Sequence, residues 1–237
     1  MIYSGTTAPT ESTKVVMTGT GTQISTSTFN SSYNNPSYVG YMYTASQQHG
    51  NSTSSTIKTT LENWYKTTTL ETDSATKALV SQDQIFCNDR SVTSGSFSTS
   101  STFYYAAYTR LNTNKKPILT CPTASDKFTS KKSSIGNKAL DYPVGLITAD
   151  EVAMAGGVVG TSNSTYYLYT NQYYWSGSPF IFRSSNSYAA EFRVTSSGSL
   201  DGYIVDYYYD GVRGVVSLSS KAKLSGSGTY NDVYTVS

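Results

Sequence analysis

Tyr188-Ala189-Ala190-Glu191-Phe192-Arg193-Val194, then Thr195-Ser196-Ser197-Gly198-Ser199, then Gly202-Tyr203-Ile204-Val205-Asp206-Tyr207 is the stretch that decides the fold class. Glu191 and Arg193 alternate with Phe192 and Val194, the period of two that marks a strand with one face toward a core. The Ser/Gly link supplies a turn, so the two segments are expected to pair as an antiparallel hairpin. On this reading Glu191 and Arg193 lie on the displayed face.

Around this hairpin the chain is rich in tyrosine. Tyr166, Tyr167, Tyr169, Tyr173, Tyr174, Tyr188, Tyr203, Tyr207, Tyr208 and Tyr209 are ten of the 22 tyrosines. A core does not need so many, because each buried hydroxyl requires a partner. A ligand-facing surface does use them, since Tyr offers stiff contact area and the intervening Ser, Gly and Asn offer adaptable hydrogen bonding.

Helical signals are few. Ile57, Leu61, Trp64 and Tyr65 fall at i, i+4, i+7 and i+8, which predicts a helix over 55–66 capped by Ser54 or Ser55. Thr148 and Glu151 have capping-box spacing, Ile147 and Val152 can form a staple, and Gly156-Gly157 stops the helix. A third, short helix is expected from Asp73 to Val80. Further strands are expected at Lys14 to Thr18, Tyr38 to Tyr43, Thr102 to Leu111 and Gly211 to Leu218, with loops at Ser91 to Thr102 and Ser225 to Thr229. These signals give an α+β chain with no composition break, read as a single domain over 1–237.

Of the 237 residues, 37% are hydrophobic and only 14% charged, while Ser and Thr number 73. Polarity carried by hydroxyls rather than charge suggests an extracellular setting, and 14% aromatic content argues against disorder. The net charge is +2 and no basic cluster exceeds Lys115-Lys116 or Lys131-Lys132, which disfavours nucleic acid as a partner. No apolar run reaches membrane-spanning length. Met1-Ile2-Tyr3 opens directly in a strand-like triplet, so an export signal or membrane anchor is expected to precede this segment in the natural protein. Cys87 and Cys121 are read as one disulfide in an oxidising compartment; the alternative is two buried free thiols.

Catalytic signals are sparse. The single histidine, His49, lies in a polar stretch and reads as a surface residue, and there is no Gly-x-Ser-x-Gly elbow. Asp201, Asp206 and Asp210 could pair as acid and base or bind calcium, but neither spacing nor flanks match a calcium loop, so they read as solvated loop carboxylates. No cofactor is expected, calcium being the one option left open. Asn30, Asn51 and Asn163 begin Asn-x-Ser/Thr sequons, relevant only in a eukaryotic secretory pathway.

Tyr142 to Val152, Tyr166 to Thr170, Tyr174 to Pro179 and Gly211 to Leu218, supported by Ile57 to Trp64 and Ile85 to Arg90, resemble a bacterial group of extracellular domains of unknown function. That group is similar to the C-type-lectin-like fold of formylglycine-generating-enzyme-like proteins and of the variable proteins of diversity-generating retroelements. The resemblance implies twisted antiparallel sheets with two or three short helices and much loop. The C-terminal cysteines on which the oxidases depend have no counterpart here, so it implies no oxidase activity. Relatives usually read Gly-Val-Arg-Pro; Gly214 stands in place of that proline, leaving the strand start less rigid.

The resemblance also implies roles. Trp175 and Arg213 are scaffold, with the Arg213 guanidinium hydrogen-bonded inside the C-terminal region. Positions open to adenine-directed variation would be solvent-facing between the Trp motif and the Gly-Val-Arg strand: Phe180, Arg183, Ala189, Glu191, Arg193, Tyr203, Val205, Tyr207, Tyr208 and Asp210; Phe182, Ser185 and Tyr188 join them as candidate ligand-binding residues. An ordinary tyrosine-rich sheet surface of fixed sequence is the alternative. The functional expectation is a non-enzymatic, secreted or surface-displayed module that binds a protein or glycan ligand. Two others stand beside it: a structural subunit or tip domain of a pilin-like or adhesive fibre or phage particle, and a hydrolase acting through Asp201 or Asp206.

Overall fold

The computed structural model describes residues 1–6 and 17–237. Its strands are, in chain order, β1 (Ser25–Thr26), β2 (Met42–Tyr43), β3 (Thr53–Ser54), β4 (Phe86–Cys87), β5 (Phe103–Tyr104), β6 (Lys127–Phe128), β7 (Tyr174–Arg183), β8 (Tyr188–Val194), β9 (Leu200–Ile204), β10 (Gly211–Val212), β11 (Leu224–Ser225) and β12 (Thr235–Val236). The helices are α1 (Thr56–Tyr65), α2 (Thr69–Thr72), α3 (Ser74–Ala78), α4 (Ala106–Tyr108) and α5 (Ala149–Met154). The chain is thus mixed α+β. Among the described residues no helix is long and apolar enough to cross a membrane.

A six-stranded sheet in the order β1-β10-β7-β8-β9, with β5 also on β7, organises the molecule. β8 and β9 pair antiparallel from Ala190↔Ile204 to Val194↔Leu200, the hairpin read from the sequence, although β9 begins at Leu200 and ends at Ile204. Gly198 takes the turn's left-handed conformation at φ 79°, which a side chain rarely adopts. The central strand β7 was not legible in the sequence, because Ser176-Gly177-Ser178-Pro179 interrupts it. The register shifts on both sides of Pro179, which has no N–H to donate to the ladder. There the backbone turns outward: Gly177 N–H donates to the Ile147 carbonyl (2.8 Å) and the Ser178 hydroxyl accepts from Ala149 N–H (2.9 Å), fixing the start of α5.

Both faces of the sheet are buried, since alternation sends neighbouring residues into two separate cores. Trp175, Phe182 and Ala189 join Phe29, Val39, Ile57, Leu61 and Tyr105 on one side. Tyr174, Phe192 and Val194 join Val152, Leu168 and Leu200 on the other. Trp175 is fully buried, edge-on to Phe29, and its indole N–H donates to the Ser27 carbonyl at 2.8 Å.

The helix caps follow the sequence. Ser55 caps α1 by accepting from Lys58 N–H, and Ile57, Leu61 and Tyr65 are fully buried. Thr148 and Glu151 form the capping box of α5, and Gly156 lies beyond its end at φ 120°. Asp73 caps α3 through Thr76 N–H. Three expected strands are shorter or absent. Pro36–Val39 is a 3-10 helix, with Asn35 accepting from Ser37 N–H and Pro36 at the first position, so only Met42–Tyr43 of the 38–43 segment is extended. After Phe103–Tyr104 the chain turns into α4 and a π-helical stretch, Thr109–Asn114, which carries Arg110 to Asp150 of α5. Of 211–218 only Gly211–Val212 is strand, while Val215 bridges both Ile2 and Gly145 and Leu218 bridges Val80. Residues 14–16 of the strand expected at Lys14 to Thr18 lie outside the described residues. Cys87 and Cys121 form the disulfide, spanning 34 residues.

Candidate ligand-binding face

The face is built at the β9 edge of the sheet. Val205, fully buried, follows β9 and is held by Val205 N–H donating to the Ala189 carbonyl (3.2 Å) and Asn30 N–H donating to the Val205 carbonyl (3.0 Å). Asp210 closes the same turn, fully buried, with Ser27 N–H donating to its carbonyl at 3.0 Å. Between these two anchors Asp206-Tyr207-Tyr208-Tyr209 is extruded. Tyr208 and Tyr209 are 57% and 59% exposed, with ring centroids 4.0 Å apart and their hydroxyls hydrogen-bonded to each other. Tyr207 packs edge-on to Tyr203 (4.7 Å) and Tyr209 (5.5 Å).

Beneath the rings stands Arg193. Its Nε donates to Asp201 Oδ1 at 2.8 Å, and its Nη1 donates to both Asp210 oxygens at 3.1 and 3.2 Å. The guanidinium carbon is 3.8 Å from the Tyr203 ring centroid, 4.5 Å from that of Tyr173 and 5.9 Å from that of Tyr207. One buried cation thus fixes three tyrosines and two aspartates. Burial raises the Asp210 carboxyl to about 6, with the Arg193 charge opposing.

These contacts correct the sequence reading. Arg193 and Asp210 are buried supports rather than displayed groups, because each meets its opposite charge there: Arg193 of β8 pairs with Asp210 at the end of the turn and with Asp201 of β9. Glu191 is also fully buried, its two oxygens without partners, and burial raises its carboxyl well above the usual range, the Arg90 charge opposing. Its side of β8 faces the larger core instead of solvent, so an alternating strand here has two inner faces. Phe182, Ala189 and Val205 belong to that core. Phe180 belongs to the other, edge-on to Phe192 at 4.8 Å; it lies over Gly202, where a Cβ would meet its ring at about 2.1 Å. Arg183, Ser185 and Tyr188 reach the surface or near it, but at the β7–β8 tip, Arg183 lying 5.7 Å from the Tyr188 ring centroid. Of the expected set, Tyr203, Tyr207 and Tyr208 meet on one face, joined by Tyr173, Tyr209 and Asp201. The Tyr207-Tyr208-Tyr209 run is the sequence signal for Tyr209; Tyr173 belongs to the same tyrosine-rich stretch, but its place over Arg193 is a tertiary fact.

Other chemistry is structural. His49 is no free surface residue: its Nδ1 lies 3.0 Å from Asp126 Oδ2. Asp126 is fully buried and takes the Arg90 guanidinium, whose remaining N–H groups donate to the Met42 and Gly50 carbonyls and Asn51 Oδ1. The sequon side chains are engaged too, Asn51 and Asn163 donating to the Ser125 and Gly156 carbonyls. Arg213 is buried and hydrogen-bonded as expected, but its partners include Tyr3 and Ser4 of the N-terminal segment besides Leu168. Asp201 and Asp210 are spanned by Arg193 rather than solvated together. Among the described residues no three His, Cys, Asp or Glu side chains are arranged to hold a metal ion. A separate cleft of about 600 Å³ runs beside the disulfide, with Phe86, Leu119 and Leu146 in its walls and Arg110 bound to Asp89 and Asp150 along it.

No family model matches the chain, and neither a curated protein nor a solved structure is significantly similar to it.

Proposed function

We propose that this chain is a non-enzymatic binding module with a C-type-lectin-like fold, secreted or displayed at a cell surface, that holds a protein or glycan ligand on the Tyr173, Tyr203, Tyr207, Tyr208 and Tyr209 face. Kinship with the variable proteins of diversity-generating retroelements is part of the proposal. One observation carries it: exposed Tyr173 and Tyr203 are held over a buried arginine that two aspartates bind, and Tyr207 links them to the exposed pair Tyr208 and Tyr209. Rings ordered before a ligand arrives lose little further conformational freedom on binding, which is the condition for aromatic anchors.

The variant Tyr208→Ala/Tyr209→Ala tests it, because both rings are mostly exposed and their loss leaves the cores untouched. A printed glycan array and a displayed random-peptide library, probed with wild type and variant, should yield binders that the variant loses, at a melting temperature within about 2 °C of wild type. Binders retained in full by the variant would overturn the proposal.

A further inference from the structure

Resting on that reading, we propose that the group seated on the tyrosine face is a cation, an arginine or lysine side chain presented by a loop of a partner protein. Charge complementarity points to this occupant. The chain as a whole is +2, yet at this face two carboxylates, Asp201 and Asp206, stand above one guanidinium, Arg193, which the buried Asp210 also holds. That guanidinium is 8% exposed and already committed to Asp201 and Asp210, so it offers little positive charge to a ligand. Asp201 remains 41% exposed and Asp206 stands in the extruded turn, so the charge turned toward a partner is negative.

Within residues 166–220 no basic residue other than Arg193 stands at this face. From Tyr166 to Ser220 the basic residues are Arg183, Arg193 and Arg213. Arg183 lies at the far tip of β7–β8, five residues along β8 from Arg193, about 17 Å. Arg213 is buried against Tyr174, 4.7 Å from its ring centroid. The rings add to the field, since a tyrosine presents the negative face of its quadrupole, as Tyr203 and Tyr173 already do toward Arg193. Four rings exposed by 37 to 59% (Tyr173, Tyr203, Tyr208 and Tyr209), with Asp201 41% exposed and Asp206 half-buried at the head of the turn, form an aromatic and acidic seat in which a guanidinium stacks on one ring and pairs with Asp206 or Asp201. A neutral glycan would use the rings but add no positive charge beside Asp206, and Asp201 would keep only the Arg193 it shares with Asp210, so a basic protein loop fits better.

The test uses the full chain with ring-labelled tyrosine, titrated with N-acetyl-arginine amide and, separately, with N-acetyl-citrulline amide, a neutral molecule of nearly the same shape. Saturable shifts of the Tyr203, Tyr207, Tyr208 and Tyr209 resonances with the arginine compound only are expected. Asp206→Asn should weaken that binding about two- to fivefold, the effect of one exposed charge, and Asp206→Lys more. Equal response to both compounds, or no effect of Asp206→Lys, would overturn the inference. Peptide-library binders to the same face should be enriched in Arg or Lys. If such binders or an arrayed glycan are lost in Tyr208→Ala/Tyr209→Ala but are indifferent to Asp206→Lys, the binding face stands and the cation does not. If nothing depends on the two tyrosines, the functional reading itself fails.

Discussion

Replacing Asp210 by asparagine probes the support beneath the tyrosine face. Asp210 is fully buried, and burial, opposed by Arg193, raises its carboxyl from 3.8 to about 6. The protonated form is therefore favoured in the folded state. Stability from this group is fully present below the unfolded value of 3.8 and is lost as pH rises through about 6. Linkage across that interval comes to about 2.5 kcal/mol between pH 4 and 7. Asp210→Asn keeps an oxygen for Arg193 Nη1 but cannot titrate. Urea unfolding followed by tryptophan fluorescence, in which Trp175 is a fully buried reporter, gives both stabilities at each pH. The wild-type stability minus that of the variant should fall by about 2 to 3 kcal/mol from pH 4 to 7. Glu191 titrates in both proteins and cancels in the difference. A flat difference would show that Asp210 is not desolvated, and a rising one that the Arg193 charge outweighs burial; either refutes the account.

Two further outcomes follow from the scaffold. Cys87→Ser/Cys121→Ser opens a 34-residue loop and should cost about 4 kcal/mol on the loop-entropy model, read as a lower urea midpoint under non-reducing conditions. Arg90→Met leaves the buried Asp126 without its cation and should cost about 3 to 5 kcal/mol by thermal or urea unfolding, with Arg90→Lys recovering only part because an ammonium lacks the guanidinium fork. A loss below about 1 kcal/mol would remove that network from the fold's supports.

The legible parts of the fold were those written in contiguous residues. Thr148 and Glu151 are three apart and close their own capping box; Ile57, Leu61 and Tyr65 recur on one helical face; Phe192 and Val194 alternate into a core. Expected strands failed where local chemistry was overruled or misread. Asn35-Pro36 favours a 3-10 start over extension, and Arg110 enters a helical segment whose ion pairs lie 21 and 40 residues away. β7 has no clear local signature because Pro179 argues against a central strand unless a bulge relieves it, and the partner that takes Gly177 N–H is Ile147, thirty residues earlier.

The same division runs through the binding face. By itself the sequence determined that tyrosines concentrate between 166 and 209, that Tyr188 to Val194 and the segment from Gly202 form a hairpin, and that one pair of cysteines is available to bridge. Alternation assigns residues to faces, but it cannot say what covers a face. Only the tertiary structure decided that Glu191 and Arg193 lie inside, that Asp201 and Asp210 converge on one guanidinium, and that Tyr173 joins Tyr203 above it. The physical reason is that a charge can be buried only where opposite charges and hydrogen-bonding groups meet it; those that meet Arg193 come from β9 and from the far end of the following turn, while Glu191, which meets none, is pushed by burial toward its neutral form.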